Sequence, residues 1–371
     1  MCECANNVTH LTASHRDPFT SPFPKIMSTI SAATSVPKTC RAVVLTEYKD
    51  FKEQDFTPKE VPVPTCGDDM VLVKTAVAAI NPVDYKIING NISAWPNPIP
   101  LTPGYDVSGV IVQVGANVEG FAVGDEVFAC NWGSNKETHL NNHADEGLPV
   151  AGALSEFVAL PAFKWSKKPA AVSHEEAAGV ALVGLTAHQA LQRLLGNDYS
   201  GKRILVLGGA GAVGYVACQL AKQGGATVYT TASPRTTEFV QVTGADKIVN
   251  YREVDWSEED ELKQVDAVFD ATGEKDSFPK AKKILKEDGT FTSIANFEVG
   301  FDPSAHPPLK FASAMLLRND ASDQDMLASM IAAKTLSVPV NKRFEFTGDS
   351  IMTAFKTQDE GKSMGKNVIV F

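Results

Sequence analysis

Cysteine is scarce and scattered in this chain. Six occur, at Cys2, Cys4, Cys40, Cys66, Cys130 and Cys218, and no two form a C-x-x-C pair. That spacing suggests neither a disulfide framework nor a thiolate zinc knot, and it points to a reducing compartment. Positive charge is also in short supply. The 34 Lys and Arg face 44 Asp and Glu, a net charge of −10. Nucleic acids and anionic membrane surfaces need a basic patch, so both are disfavoured as main partners. No apolar run approaches the length of a membrane span. Neither a P-loop nor a Ser-His-Asp pattern is present. What remains, 44% hydrophobic and 21% charged residues over 371 positions, is ordinary for a globular protein and long enough for two domains.

The chemistry starts at Arg203–Ser233, RILVLGGAGAVGYVACQLAKQGGATVYTTAS. Ile204 to Leu207 is an aliphatic run of strand type. Gly209, Gly211 and Gly214 then fit G-x-G-x-x-G, with Ala210, Ala212 and Val213 between them. Val213, Val216, Ala217, Leu220 and Ala221 recur at helical spacing. Gly224 and Gly225 end that helix, and Ala226 to Thr231 reads as a second strand. Strand, glycine turn, amphipathic helix and strand are the context that makes the motif a dinucleotide fingerprint. Without Cβ atoms the turn admits a pyrophosphate, and the helix start offers free N–H groups.

The end of the second strand selects the dinucleotide. An NAD site usually has Asp or Glu there for the ribose 2′-OH. Here the residues are Thr230, Thr231, Ala232, Ser233, Pro234 and Arg235, with no acid. A carboxylate would repel a 2′-phosphate, whereas a hydroxyl and a guanidinium would bind it. Ser233 and Arg235 therefore mark NADPH.

Residues 1–39 are rich in Ser, Thr, Pro and Ala, with Glu3 and Asp17 the acids, and a disordered tail is expected. The scarcity of acids leaves a plastid or mitochondrial transit peptide as the lesser reading beside a cytoplasmic protein, and Met27 is an alternative start. From Cys40 the pattern turns β-rich. RAVVLTEY, Met70–Ile80, Val107–Val114, Glu126–Ala129 and GALSEFVALP read as strands, and 131–152 as a polar loop. Ser173 and Glu176 form a capping box for a helix over 173–196, interrupted around Gly184. Beyond the nucleotide unit, strands alternate with helices, including FPKAKKILKEDG as a helix stopped by its glycine. Alternation of this kind means a parallel, doubly wound sheet. Phe311–Leu317 is one more candidate strand, Met326–Lys334 a helix, and the end a helix, a turn and a strand.

Several segments together carry a resemblance: AINPVDYK (79–86), PLTPGYDVSGVIVQVG (100–115), VGDEVF (123–128), GLTAH (184–188), LVLGGAGAVG and GADKIVNY (244–251). Over residues 40 to 371 the chain resembles the medium-chain dehydrogenase/reductase superfamily. The branch is the zinc-independent one of zeta-crystallin-like quinone oxidoreductases and plant-like enone reductases. The resemblance implies an α/β fold, with a Rossmann doubly wound parallel sheet and a β-rich GroES-like substrate domain. It assigns 40–182 and 321–371 to the GroES-like domain and 183–320 to the Rossmann domain. Zinc members carry Cys where this chain has Pro82 or Val83, and Gly-His-Glu where it has Gly104, Tyr105 and Asp106. A phenol and one carboxylate are not the donor set zinc prefers. His139 and His143, at i and i+4, are the one rival pair, without a third ligand, so no metal is expected.

The same resemblance implies site residues. Asn81 matches an asparagine at the nicotinamide end, with an Asn-Pro turn as its plain alternative. Lys86 matches a lysine of enone reductases that could hydrogen-bond the acceptor oxygen; its alternative is an exposed lysine. Tyr85 lies beside it, and Asp84 caps a helix or contacts substrate. Thr186 matches a threonine near the nicotinamide, or is a helix Thr bonded to a backbone carbonyl. Tyr251 matches a tyrosine near the 2′-phosphate, and Lys366 a lysine near the cofactor. His188 is read as structural. The leading expectation is an NADPH:quinone oxidoreductase, with reduction of activated C=C bonds in enones, alkenals or enoyl thioesters as the alternative. A non-catalytic NADPH-binding regulatory module is the rival from another class. Members of the resembled family join cofactor sheets edge to edge, so a homodimer through Phe311–Leu317 is expected.

Overall fold

The computed structural model describes residues 36–91, 99–132 and 152–371. His139 and His143, the start at Met27 and the expected tail up to residue 35 lie outside the described residues.

Two sheets organise the chain. The first is mixed and seven-stranded. Its path is β14 (Val340–Glu345), β15 (Lys366–Val370), β3 (Met70–Ala79), β4 (Asp106–Val114), β5 (Glu126–Cys130) and β7 (Trp165–Lys167), with β6 (Phe157–Pro161) pairing β3. A short ladder of β1 (Thr39–Ala42) on β2 (Lys59–Pro62) stands beside it. The segment 41–48 therefore forms less strand than its apolar pattern suggests. Past Ala42 it makes only a bridge from Leu45 to Leu101. The second sheet is parallel and runs β10 (Lys247–Asn250), β9 (Thr227–Ala232), β8 (Arg203–Leu207), β11 (Val265–Asp270), β12 (Leu285–Ser293), β13 (Phe311–Ala314). Its order reverses between β8 and β11, which is where open α/β sheets bind ligands.

Register does the work of assembly in the mixed sheet. Ala79 at the end of β3 faces Asp106 at the start of β4 and Val368 near the start of β15. Three chain segments far apart in sequence thus end at one corner. Asn81 follows β3 there and opens helix α1 (Pro82–Ile88), with Pro82 at its first position.

Helix α2 (His174–Leu195) is continuous for 22 residues, capped by Ser173 and Glu176 as expected. Gly184 does not interrupt it. A Cβ there would lie 2.8 Å from Leu327 of helix α6 (Ala321–Ala332), so the glycine serves close helix packing. The division at 182/183 falls inside this helix. Its apolar side joins a core shared by both sheets, in which Ile87, Tyr105 and Phe128 pack with Val180, Leu191 and Val206. Helix α3 (Ala212–Gln223) ends at Gly224 as read, with Gly225 at φ +88°. A short helix α4 (Thr237–Gln241) and helix α5 (Ser277–Ile284) complete the nucleotide lobe. α5 stops earlier than the pattern FPKAKKILKEDG suggests. Leu285 is already extended and pairs with Val265, so Gly289 lies within β12 and ends no helix. Helix α7 (Gly348–Asp359) links β14 to β15.

β13 is the edge of the parallel sheet, as its apolar residues suggest, but it is short. Met315 is buried, and Leu316 and Leu317 pack against the shared core. The outward N–H groups of Ala312 and Ala314 already bond to the carbonyls of Pro303 and Gly300. The chain covers its own edge there.

Candidate active site

The glycine turn sits at the reversal point between β8 and β11. Each glycine has a different reason to be one. Gly208 has φ +83°. A Cβ at Gly209 would fall 2.3 Å from Thr230 Oγ1, and one at Gly214 would fall 2.2 Å from the Gly208 carbonyl oxygen. At Gly211 the nearest atom is that same oxygen, at 3.4 Å. Gly209 and Gly214 are therefore demanded by the protein's own packing. Gly211 faces open space, as a backbone cradle for a pyrophosphate must. The first-turn N–H groups of α3, at Ala212, Val213 and Gly214, point out of the helix start, and that turn carries no acid. Ala210 packs with Tyr215 and Phe239 on the side of β9.

The strand ends gather the residues expected around the 2′-phosphate. Ser233 is buried, its hydroxyl 3.1 Å from that of Thr236. Arg235 is exposed and donates through Nη2 to the Lys362 carbonyl, 3.1 Å away, in the turn before β15. Tyr251 is exposed, and its N–H reaches back to the Ala232 carbonyl. Arg252, not singled out by sequence reasoning, stacks on Tyr251 at 5.6 Å. The cue was a second guanidinium directly after the tyrosine that follows β10.

The corner of the mixed sheet holds a buried charged node. Lys366 Nζ donates to Asn81 Oδ1 at 2.6 Å and to Asp106 Oδ2 at 3.1 Å. Asn81 Nδ2 donates to the same Asp106 oxygen at 2.8 Å. Asp106 Oδ1 accepts from the Leu182 N–H of α2 at 2.9 Å. Asn81, Asp106 and Lys366 are all but sealed from solvent, at 0%, 0% and 2% exposure. The Lys366 stem crosses Gly179 of α2, where even a Cβ would find room at 3.6 Å. Burial pushes the Asp106 carboxyl above the usual carboxylate range, and the ammonium of Lys366 pulls it back. Thr186, one turn beyond Leu182, donates to the Leu182 carbonyl at 2.7 Å. Sequence reasoning named Asn81 and Lys366 but missed Asp106 as their partner. It weighed that residue only as a missing zinc ligand.

Helix α1 presents its residues in different directions. Asp84 is buried, and its Oδ2 accepts the Asn81 N–H at 2.7 Å, a helix-capping contact. The ring of Tyr85 packs 5.5 Å from Phe51, near Lys52 and Asp359, and burial raises its pKa. That is away from the node. Lys86 is half-buried, and its ammonium has no ion pair or hydrogen bond among the described residues. Burial alone lowers the pKa of its ammonium. His188 lies 3.5 Å from Asp323 of α6, a link between helices. Half-exposed apolar side chains from both lobes border the shared core: Val83 and Ile99 from one, Val213, Ala271, Ile294 and Leu316 from the other.

Two family models match the chain, the alcohol dehydrogenase GroES-like domain over residues 67–170 and the zinc-binding dehydrogenase domain over 212–328. The 2-methylene-furan-3-one reductase of Solanum lycopersicum is 32% identical over 343 residues, 91% of this chain and 81% of that protein. The chain belongs to the medium-chain dehydrogenase/reductase superfamily. The NADPH-dependent alkenal/one oxidoreductase of Arabidopsis thaliana, a chloroplastic protein, is 38% identical over 71% of this chain and 65% of its own length. The solved quinone oxidoreductase from Coxiella burnetii superposes with a TM-score of 0.75 at 28% identity, covering 90% of this chain and 100% of that one. This medium-chain reductase has the Rossmann and GroES-like parts that its sequence suggests. A zinc ion does not fit its residues at the corner. Asp106 has both oxygens engaged and an ammonium against it, and Tyr105 packs edge-on to Trp132 at 5.0 Å. Among the described residues no three His, Cys, Asp or Glu side chains come together. Nor is any helix among them long and apolar enough to cross a membrane.

Proposed function

We propose that this medium-chain reductase transfers hydride from NADPH to a conjugated carbonyl acceptor, a quinone or an enone, without a metal. The observation that carries the reading is the half-buried ammonium of Lys86 on α1, which has no partner among the described residues. NADPH, when bound, supplies the hydride from its nicotinamide ring. The chain's own residues do the rest. The Gly211 turn and the start of α3 receive the pyrophosphate, and Ser233, Arg235, Tyr251 and Arg252 hold the 2′-phosphate. The apolar border formed by Val83, Ile99 and Leu316 keeps water from the acceptor. Lys86 donates to the acceptor oxygen as negative charge develops there. Orientation and one cation suffice, because these acceptors spread the added charge onto oxygen themselves. An ammonium at the acceptor oxygen helps an enone more than a quinone, whose reduced form needs less help. The names of the plant relatives support both acceptor classes, since reductases of furanones and alkenals and quinone oxidoreductases stand among them. A panel of quinones and enones, with NADPH oxidation as the readout, tests the reading. Turnover with no acceptor in either class would favour a non-catalytic NADPH-binding module.

Arg235 provides a separate check on the dinucleotide. Arg235→Ala removes a charge-assisted contact worth about 1.5–3 kcal/mol, roughly 10- to 150-fold in NADPH affinity. NADH binding should change little. Equal losses for both cofactors, measured by fluorescence titration, would refute the 2′-phosphate role.

We also infer a homodimer. Two outward N–H groups of β13 are already used, so the contact forms over the exposed, stacked Phe297 and Phe301 that flank this edge, 5.7 Å apart. A monomer in sedimentation at micromolar concentration would end that proposal. The cytoplasm is the plain reading of location. The chloroplast is the alternative that the acid-poor 1–39 stretch and the Arabidopsis relative support.

A further inference from the structure

The node at the sheet corner holds one cation but two carboxyl groups. Lys366 serves Asp106 directly. Asp84, on the adjoining helix, is 1% exposed, and its Oδ2 accepts the Asn81 N–H. Its Oδ1 is buried without a hydrogen bond to any described residue. Beside Asp84 lies a cavity of about 10 Å³, lined also by Ile87, Leu101, Thr102, Gly104 and Tyr105. That is room for one water beside the Asp84 carboxyl. An ionised carboxylate with a bare buried oxygen, beside a second carboxylate, is costly. A carboxylic acid in the same place is not, because its O–H can donate into the cavity.

We propose that Asp84 is a protonated, neutral acid in the working protein, its proton on Oδ1 facing a single water, and that this neutrality positions the Asn81–Lys366–Asp106 node. Neutral Asp84 leaves the ammonium to Asn81 and Asp106. Ionised Asp84 competes for it and repels Asp106. The groups facing Asp84 are Asp106 on β4 and Lys366 on β15, with Tyr105 across the cavity and Tyr85 and Lys86 on its own helix. Burial is the main cause that lifts its pKa to about 8, opposed by the Asn81 N–H and by Lys366 and aided by Asp106. The catalytic consequence rests on the reductase reading; the protonation state does not.

The folded protein holds this proton up to about pH 8, whereas an unfolded aspartic acid releases it near pH 4. The folded state therefore binds more protons across that window. Stability from this group is full below the window and is lost as pH rises to its upper end.

Infrared spectroscopy of the full chain tests the protonation. A carboxylic C=O band should be present near pH 7, fade near pH 8, and be missing in Asp84→Asn. Asp84→Ser, whose hydroxyl can still accept from Asn81, serves if the asparagine variant does not fold. Melting temperature should fall from about pH 5 to about pH 8 in the wild type more steeply than in the variant. Above pH 8, kcat/KM should drop about tenfold per pH unit, and the variant's profile should lack that limb. A band that survives in both variants, or is absent from the wild type at pH 7, would overturn the proposal. So would equal melting slopes. If the wild type turns over no acceptor, the reductase reading fails while the infrared and melting results still decide Asp84.

Discussion

Lys86→Met should lower kcat/KM for enones by about 10²-fold or more while affecting quinones less. Hydride addition to an enone puts charge on an oxygen that has no other stabilised form. A reduced quinone is already delocalised and readily protonated by water. An ammonium aimed at that oxygen acts in the transition state more than in the ground state, so the loss should appear in kcat. Methionine keeps the bulk of the side chain and removes only the charge. Lys86 has no ion pair among the described residues, so the substitution strands no partner carboxylate. Steady-state kinetics with one enone and one quinone separate the outcomes. If neither changes, Lys86 is a surface lysine and the acceptor binds elsewhere. If only quinone reduction is lost, the contact is positional and the site is shaped around quinones.

Lys366→Met should destabilise the fold by about 3–5 kcal/mol, because it leaves the Asp106 carboxylate buried without its cation. A second change, Asp106→Asn, should recover a large part of that loss. It removes the stranded charge and keeps an oxygen for the Leu182 N–H. Chemical denaturation of both variants supplies the numbers. A lysine that merely faces the cofactor from the surface would behave differently. Its loss would weaken NADPH binding and leave the denaturation midpoint alone.

These residues also measure how far sequence reasoning reaches. The glycine turn, α3 and the parallel order of β8 and β9 were legible, because each is set by residues close in the chain. Ser233 and Arg235 were read from their place past the end of a strand and Tyr251 from the resemblance, and their hold on a 2′-phosphate is a proposal. The node was only half legible. Asn81 and Lys366 could be named from a resemblance, but their bond depends on the register of β15 against β3. No local pattern encodes it. Asp106 was hidden because it stands just before VSGVIVQV (107–114), whose strand pattern reads the same wherever that carboxylate points. Gly184 misled in the opposite sense. Glycine usually weakens a helix, and the side chains of Leu327, far along the chain, and of Val180, one turn back, explain it. KEDG at 286–289 misled by its helix-ending look, since pairing with β11 takes hold from Leu285 onward.

Helix α2 belongs to neither lobe alone. It opens against β4 and β5, where His174 meets Ser108 and Glu126, and farther along it supplies Leu191 and Leu194 to the core beneath the parallel sheet. Anyone splicing this protein has to respect that. A fragment cut at the lobe boundary would carry half a helix with its apolar stripe bare, prone to stick to its own kind. A chimera that trades one nucleotide lobe for another needs its first joint before Ser173, so that the whole helix travels with one parent.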